Sequence, residues 1–231
     1  MTAIDVVMPA RNESLTVARN VAAARACTFV REVIVVDDGS TDATSDEALR
    51  AGAKVVRRDG PSGSKAHAMA AGVAASDADA ILFVDADCTG LTGAHLDEIV
   101  EPYVAGRAVM SIGAFDYRWL NPLVRRLPPL SGERIIPRWV FDAIPESKLD
   151  GYTIEVRINQ VIAERQLPTT VRTMRGVSHR TKRDKLGPVE GYRRTYWMFR
   201  EILRMLRPVG DVRWRTYWYY LRNLTVEGKS V

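Results

Sequence analysis

The residues best suited to chemistry are two carboxylates one position apart. The apolar run Ile81-Leu82-Phe83-Val84 leads directly into Asp85-Ala86-Asp87. Such a run reads as a buried strand of a parallel sheet. Its carboxyl end is where open α/β sheets bind their ligands. Side chains alternate along an extended chain, so Asp85 and Asp87 share a face with Ala86 between them. Two hard oxygen ligands on one face suit Mg²⁺ or Mn²⁺ bridging to a diphosphate. Taken alone, the same three residues also fit a polar strand end followed by a turn.

The elements around this stretch decide between the two. Ile4-Asp5-Val6-Val7-Met8-Pro9 reads as a first strand, closed by Pro9. Residues 14–26 are Ala-rich with helical periodicity, with Ser14 as the expected cap. Residues 32–37 form a second apolar strand, followed by the turn chemistry of Asp38-Gly39-Ser40-Thr41-Asp42. A helix over about 42–51 ends at Gly52, and residues 54–57 make a short third strand. The loop Gly60-Pro61-Ser62-Gly63-Ser64 precedes an Ala-rich helix over 65–75. Strands and helices alternate at short spacing, which predicts a doubly wound α/β fold with a mostly parallel sheet. Pro9 to Glu13, Asp37 to Asp42, Lys65 and Asp85 to Asp87 then lie at strand ends or in the loops beyond them. In a parallel sheet those ends share one edge, so the motifs converge on one crevice.

The order and spacing of these motifs over residues 3–90 resemble the family 2 glycosyltransferases, with their GT-A fold. Pro9-Ala10-Arg11-Asn12-Glu13 is similar to that family's Pro-x-x-Asn-Glu opening. Asp37-Asp38-Gly39-Ser40-Thr41-Asp42 matches its second motif, and Asp85-Ala86-Asp87 its metal motif. The resemblance implies a nucleotide-diphosphate sugar donor, with UDP-glucose as the expected one, and a divalent Mg²⁺ or Mn²⁺ cofactor. It implies that Pro9, Ala10, Arg11, Asn12, Glu13 and Asp38 hold the base and ribose. Lys65 would sit near the diphosphate or the sugar, Asp85 near the ribose and metal, Ala86 would contact the nucleotide sugar, and Asp87 would ligate the metal. A uracil ring presents an N–H between two carbonyls, which an acceptor such as Asp38 can read. Two departures stand out: Arg11 replaces an aromatic common in relatives, and no Gly directly precedes Lys65.

The second half is less regular. Helices are expected over 95–104, 137–144 and 155–165, and strands over 109–115 and 170–174. Residues 121–130 are Pro-rich and loop-like. Pro129 to Arg134, Gly151 to Glu155 and Gly176 to Arg180 resemble acceptor-side and metal-side motifs of the glucosyl-3-phosphoglycerate synthase branch and related short transferases. That likeness implies His179 as a second metal ligand and Glu155 as a catalytic residue near the transferred sugar or the acceptor hydroxyl. It also implies Gly132, Glu133, Arg180 and Lys182 as acceptor and phosphate contacts. Glu155 reads equally as a general base, as a hydrogen-bond partner of the sugar, or as an acidic helix start favoured by the dipole.

Composition bounds the rest. The chain has 231 residues and a formal charge of +5, divided as −6 over residues 1–100 and +11 over the remainder. A basic second half fits a phosphorylated small molecule or a lipid phosphate as acceptor. Two cysteines without metal spacing and the lack of a signal-like start point to the cytoplasm. No apolar stretch reaches the roughly 18 residues that span a bilayer. The expected domain covers residues 1–186, with a nucleotide-binding half over 1–90 and an acceptor half over 91–186. Residues 187–231 form a basic, aromatic-rich helical extension, expected to touch the membrane face, a second copy in a homodimer, or the main domain. Zinc spacing, RNA-binding signatures and a basic helix–turn–helix are lacking, so no nucleic acid is expected as partner. A nucleotidyltransferase on a similar sheet would carry a Gly-rich basic loop after the first strand, and residues 9–13 show none. A catalytically silent sugar-nucleotide scaffold is the remaining alternative.

Overall fold

In a computed structural model of the chain, the described residues are 2–58, 63–115, 131–149, 154–179, 218 and 221–226, with only the backbone of His179 included. The expected loop over 121–130, the expected helix over 192–206, and Arg180 and Lys182 lie outside them. Among the described residues, eight strands form one sheet in the order β10-β8-β6-β7-β4-β1-β2-β3. They are β1 (Ile4–Ala10), β2 (Glu32–Asp37), β3 (Lys54–Arg57), β4 (Ala80–Phe83), β6 (Met110–Phe115), β7 (Arg134–Pro137), β8 (Thr169–Met174) and β10 (Leu224–Val226). A two-stranded ribbon of β5 (Cys88–Thr89) and β9 (Ser178–His179) stands apart. The helices are α1 (Val17–Arg25), α2 (Thr44–Arg50), α3 (Lys65–Ala74), α4 (Gly93–Val104), α5 (Arg138–Asp142) and α6 (Ile154–Glu164).

The first half folds as its pattern dictates. β1 pairs in parallel with both β2 and β4, and β2 with β3. These strands are apolar runs because helices cover both faces. Val7, Ile34, Val36, Ile81 and Phe83 belong to one core cluster, and Val6, Met8, Val33, Val35 and Leu82 to the other. Buried Asp5 ties the sheet's amino-terminal edge, accepting from Arg31 Nε (3.0 Å) and Nη2 (2.8 Å) and from Ser76 Oγ (2.6 Å).

Three local readings are corrected. The first helix starts at Val17, and Ser14 is not its cap: the Ser14 N–H donates to Asp42 Oδ2 at 3.2 Å. The helix expected over 137–144 is the shorter α5, preceded by strand β7. That strand is antiparallel to both β4 and β6, so the sheet is mixed at its centre. Finally, β10 runs parallel to β8 along the sheet edge, and Leu221 and Leu224 pack against the core. Within the region expected as a helical extension, residues 224–226 are therefore a strand of the main sheet, while residues 218, 221 and 222 are helical. Among the described residues, no helix is long and apolar enough to cross a membrane.

Helix α3 carries Lys65 and lies close against β1 and β2. A Cβ at Gly72 would fall 3.0 Å from Val36 Cγ2 and closer still to Val7 Cγ1. Alanine would gain about 1 kcal/mol of helix propensity. Overpacking two buried β-branched side chains costs about 1–3 kcal/mol and prevails. Gly72→Ala is therefore expected to lower the urea midpoint at unchanged m-value; a midpoint at or above that of the parent would contradict the packing.

Candidate active site

The loops after β1 and β2 are bound to each other before any ligand arrives. Asn12 adopts a left-handed backbone (φ 55°), a conformation Asn tolerates better than most residues. Its Oδ1 accepts from Thr41 N at 2.8 Å, and its own N–H donates to Ser40 Oγ at 3.1 Å. The Glu13 N–H donates to Thr44 Oγ1 at 2.8 Å. Asp37 accepts from Ser40 N (2.7 Å) and from Ser45 Oγ. Burial pushes the Asp37 carboxyl up, but these hydrogen bonds outweigh it and hold it below its ordinary value. Asn12, Glu13 and Asp37 thus brace the edge of the crevice.

Asp38 is buried at the end of β2, where its N–H donates to Ala10 O at 2.9 Å. Its Oδ1 accepts from Arg58 Nε at 2.6 Å and its Oδ2 from Gly63 N at 2.5 Å. A carboxylate has roughly four lone-pair sites, so among the described contacts Oδ2 keeps one for a ligand N–H. Arg11, exposed, reaches over Gly63.

Lys65 is the centre of the site. Ser64 caps α3, accepting from His67 N at 3.4 Å, and this puts Lys65 at the first helical position. A cation there opposes the helix dipole. Two carboxylates overcome it: Lys65 Nζ lies 2.7 Å from Asp85 Oδ1 and 2.8 Å from Glu155 Oε1. Burial disfavours the ammonium, yet Asp85 and then Glu155 outweigh burial and hold Lys65 protonated well above an ordinary lysine. Lys65 and Asp85 are each about a quarter exposed (26%), whereas Glu155 is 9% exposed in the first turn of α6. The cluster therefore opens to solvent on the Lys65 and Asp85 side.

The segment from Asp85 to Cys88 is gripped from several directions. Asn20 Nδ2 donates to Ala86 O (2.9 Å) and Cys88 O (3.0 Å). The Cys88 thiol donates to Glu133 Oε1 at 3.1 Å, and Ser131 Oγ donates to Glu133 Oε2 at 2.5 Å. Gly132 lies so close to the Asp85 carboxylate that any Cβ there would collide with it. In the β5–β9 ribbon Cys88 is paired with His179, so the His179 backbone lies across from the residue after Asp87. Fully buried Arg134 joins both sides of the cluster. Its Nε and Nη2 donate to Ser131 O (3.1 and 2.5 Å), and its Nη1 donates to Asn159 Oδ1 (2.8 Å) and Glu155 O (3.4 Å). Glu155 and Asn159 are one turn apart on α6, so a single guanidinium reaches both.

The structure thus brings Pro9, Ala10, Arg11, Asn12, Glu13, Asp38, Lys65, Asp85, Ala86, Asp87 and Glu155 to one edge of the sheet. Gly132 and Glu133, expected on the acceptor side, instead lie against Asp85 and Cys88, with Glu133 fully buried. Such a carboxyl shapes the segment from below and has no exposed face for an acceptor. Asn20, Arg58, Arg134 and Asn159 were not expected. Asn20 left one signal, a polar residue within the apolar stripe Val17, Val21 and Ala24 of α1. Among the described residues, no three His, Cys, Asp or Glu side chains converge to hold a metal on their own. A divalent ion here needs further oxygen ligands, which a diphosphate and water supply.

Burial, and then the charge of Asp85, push the Glu133 carboxyl up to about 7 from an ordinary 4.5. The fold therefore binds a proton that the unfolded chain releases. Glu133 is without cost below about pH 4.5 and costs stability progressively as the pH rises toward 7. Glu133→Gln, which mimics the neutral acid, should flatten the fall in urea stability between pH 5 and pH 8. An equally steep fall in the variant would show that other groups cause it.

Comparison with known proteins follows the same outline. Residues 5–161 match the family model of glycosyl transferase family 2. The glucosyl-3-phosphoglycerate synthase of Mycobacterium tuberculosis is 27% identical over 191 residues, covering 66% of this chain and 58% of that protein. The chain thus spans less than two thirds of that relative's length. A crystal structure of the M. tuberculosis synthase with Mg²⁺ and UDP superposes with a TM-score of 0.73 at 24% identity, covering 89% of this chain and 78% of that one. Another, with Mn²⁺, UDP-glucose and phosphoglyceric acid, gives a TM-score of 0.65 at 25% identity, covering 78% and 72%. With a match over more than half its length, and that family's motifs gathered at one sheet edge, the chain belongs to glycosyl transferase family 2.

Proposed function

We propose that the chain is a metal-dependent glycosyltransferase that moves glucose from UDP-glucose to phosphoglycerate or a closely similar phosphorylated acid. The observation that carries this is the Lys65 bridge between Asp85 and Glu155, at the edge where the nucleotide-side motifs converge. Asp38 offers an acceptor for a uracil N–H, and residues 9–13 beside it are assigned to the base and ribose. Lys65 keeps its proton and, held between Asp85 and Glu155, fixes the two carboxylates beside the place assigned to the diphosphate and sugar. Asp87 and His179 are the residues that would hold the divalent ion, completed by phosphate oxygens and water. The ion would supply positive charge to the diphosphate as it leaves with the bond electrons.

Glu155 is committed to Lys65 through one oxygen, so it is placed to accept a hydrogen bond from a sugar hydroxyl. That role needs no proton abstraction and accords with its fixed position on α6. The acceptor is assigned from the basic second half, including Arg180 and Lys182, and from the relatives' acceptor. The transferase domain is assigned to residues 1–186 together with β10, which returns to the sheet edge, and its workplace to the cytoplasm.

The test is the initial rate of UDP release from UDP-glucose with 3-phosphoglycerate, with Mn²⁺ and after chelation. The expected result is metal-dependent release that requires the acceptor. Asp87→Ala should lower kcat by at least about 100-fold, the scale of losing a main electrostatic partner of the transition state, at unchanged circular dichroism. Release that persists in Asp87→Ala at the parent rate would remove Asp87 from the site.

A further inference from the structure

Helix α1 has no residue among the expected ligands, yet one of its side chains grips the metal segment. Asn20 is 2% exposed and lies in the apolar stripe of α1, between Val17, Val21 and Ala24, all buried. A bare amide in that setting would be costly to bury, so its partners matter. Its Nδ2 donates to Ala86 O at 2.9 Å and to Cys88 O at 3.0 Å, 66 and 68 residues away. An NH₂ group has two protons, and each here serves one carbonyl. The two carbonyls flank Asp87. One belongs to the peptide plane entering Asp87, the other to the plane leaving Cys88. The plane entering Asp87 is held directly and the chain is pinned again just past Cys88, which limits how the backbone can turn at Asp87.

The platform behind Asn20 is stiff. The end of α1 is tied to α4 through Asp97 Oδ1, which accepts from Thr28 N (2.8 Å) and Thr28 Oγ1 (2.9 Å). Gly93 opens α4 directly against the Ala26 backbone, where a Cβ would come within 2.7 Å. The far side of the segment is held by the Cys88 to Glu133 bond and by the β5–β9 ribbon. The grip on Asp87 is thus two-sided, and Asn20 is its half on the α1 side.

We infer that Asn20 is a positioning residue of the metal site, holding the Ala86 and Cys88 carbonyls so that Asp87 is aimed at the ion before it binds. This rests on the proposed metal-dependent UDP site and adds to it a residue that touches neither metal nor nucleotide. Groups that orient ligands from behind typically carry ten- to hundredfold in metal affinity. The loss of Asn20 should therefore appear in metal binding and leave the acceptor side untouched.

The test is calorimetric titration of UDP at a series of Mn²⁺ concentrations, for the parent and for Asn20→Leu and Asn20→Ser. Leucine fills the space without a donor; serine offers one donor for two carbonyls. The half-saturating Mn²⁺ concentration should rise about tenfold or more in Asn20→Leu and by less in Asn20→Ser. The KM for 3-phosphoglycerate should stay at the parent value in both. A folded variant with the parent's Mn²⁺ midpoint would overturn the inference, as would loss of the fold in both, which would make Asn20 a residue of the core alone. If the parent itself binds UDP without regard to Mn²⁺, the proposed function fails first, and that outcome is distinct from a metal-dependent parent with unshifted variants.

Discussion

One ammonium holds the two halves of this chain together at the edge of the sheet where the family's motifs meet. Lys65 belongs to the first half and Glu155 to the second, and Asp85 closes the triangle between them. Each group would be poorly placed alone: a cation at a helix start, two carboxylates side by side in a partly dry crevice. Together they satisfy one another, and the cost of burying each charge is offset by the others. The constraint is geometric as well as electrostatic, because three elements that arrive from different directions must end within one ion-pair distance.

The rest of the architecture serves that constraint. Parallel β1, β2 and β4 deliver their loops to one edge, and the Asn12 and Asp42 hydrogen bonds fix the loops against each other. The antiparallel strand β7 then enters the sheet between β4 and β6. It brings Gly132 against Asp85, Glu133 beneath Cys88, and Arg134 across to α6. A strand that packs so close beneath the site can shape it without lining it. This is why Glu133, with its raised affinity for a proton, is better read as a foundation than as a ligand contact.

Much of the first half was legible because its signals are local. Continuous apolar runs, turn residues and Ala-rich stretches gave β1, β2, β4 and α3 at nearly their final bounds, and the spacing of acidic and Asn-Glu motifs gave the edge where those motifs meet. The capping choice at α1 was not legible, because Ser14 is drawn away by Asp42, a partner 28 residues distant. Strand β7 was hidden by its length, with only Ile135 and Ile136 apolar between Arg134 and Pro137. Asn20 and Arg134 were hidden for a related reason. Asn20 serves backbone carbonyls of a remote segment, and Arg134 divides its guanidinium between the Ser131 carbonyl and α6; a carbonyl leaves no mark in a sequence.

The central question is whether this edge binds a uridine diphosphate through a divalent ion. The most direct measurement is the melting temperature with UDP, GDP, ADP and TDP, each with and without Mn²⁺. A ligand selective for the native state raises it by mass action. A metal-dependent uridine site gives a rise of several degrees for UDP with Mn²⁺, and little for UDP alone or for the other nucleotides with the ion. An equal response to every nucleotide, or none to any, would contradict it.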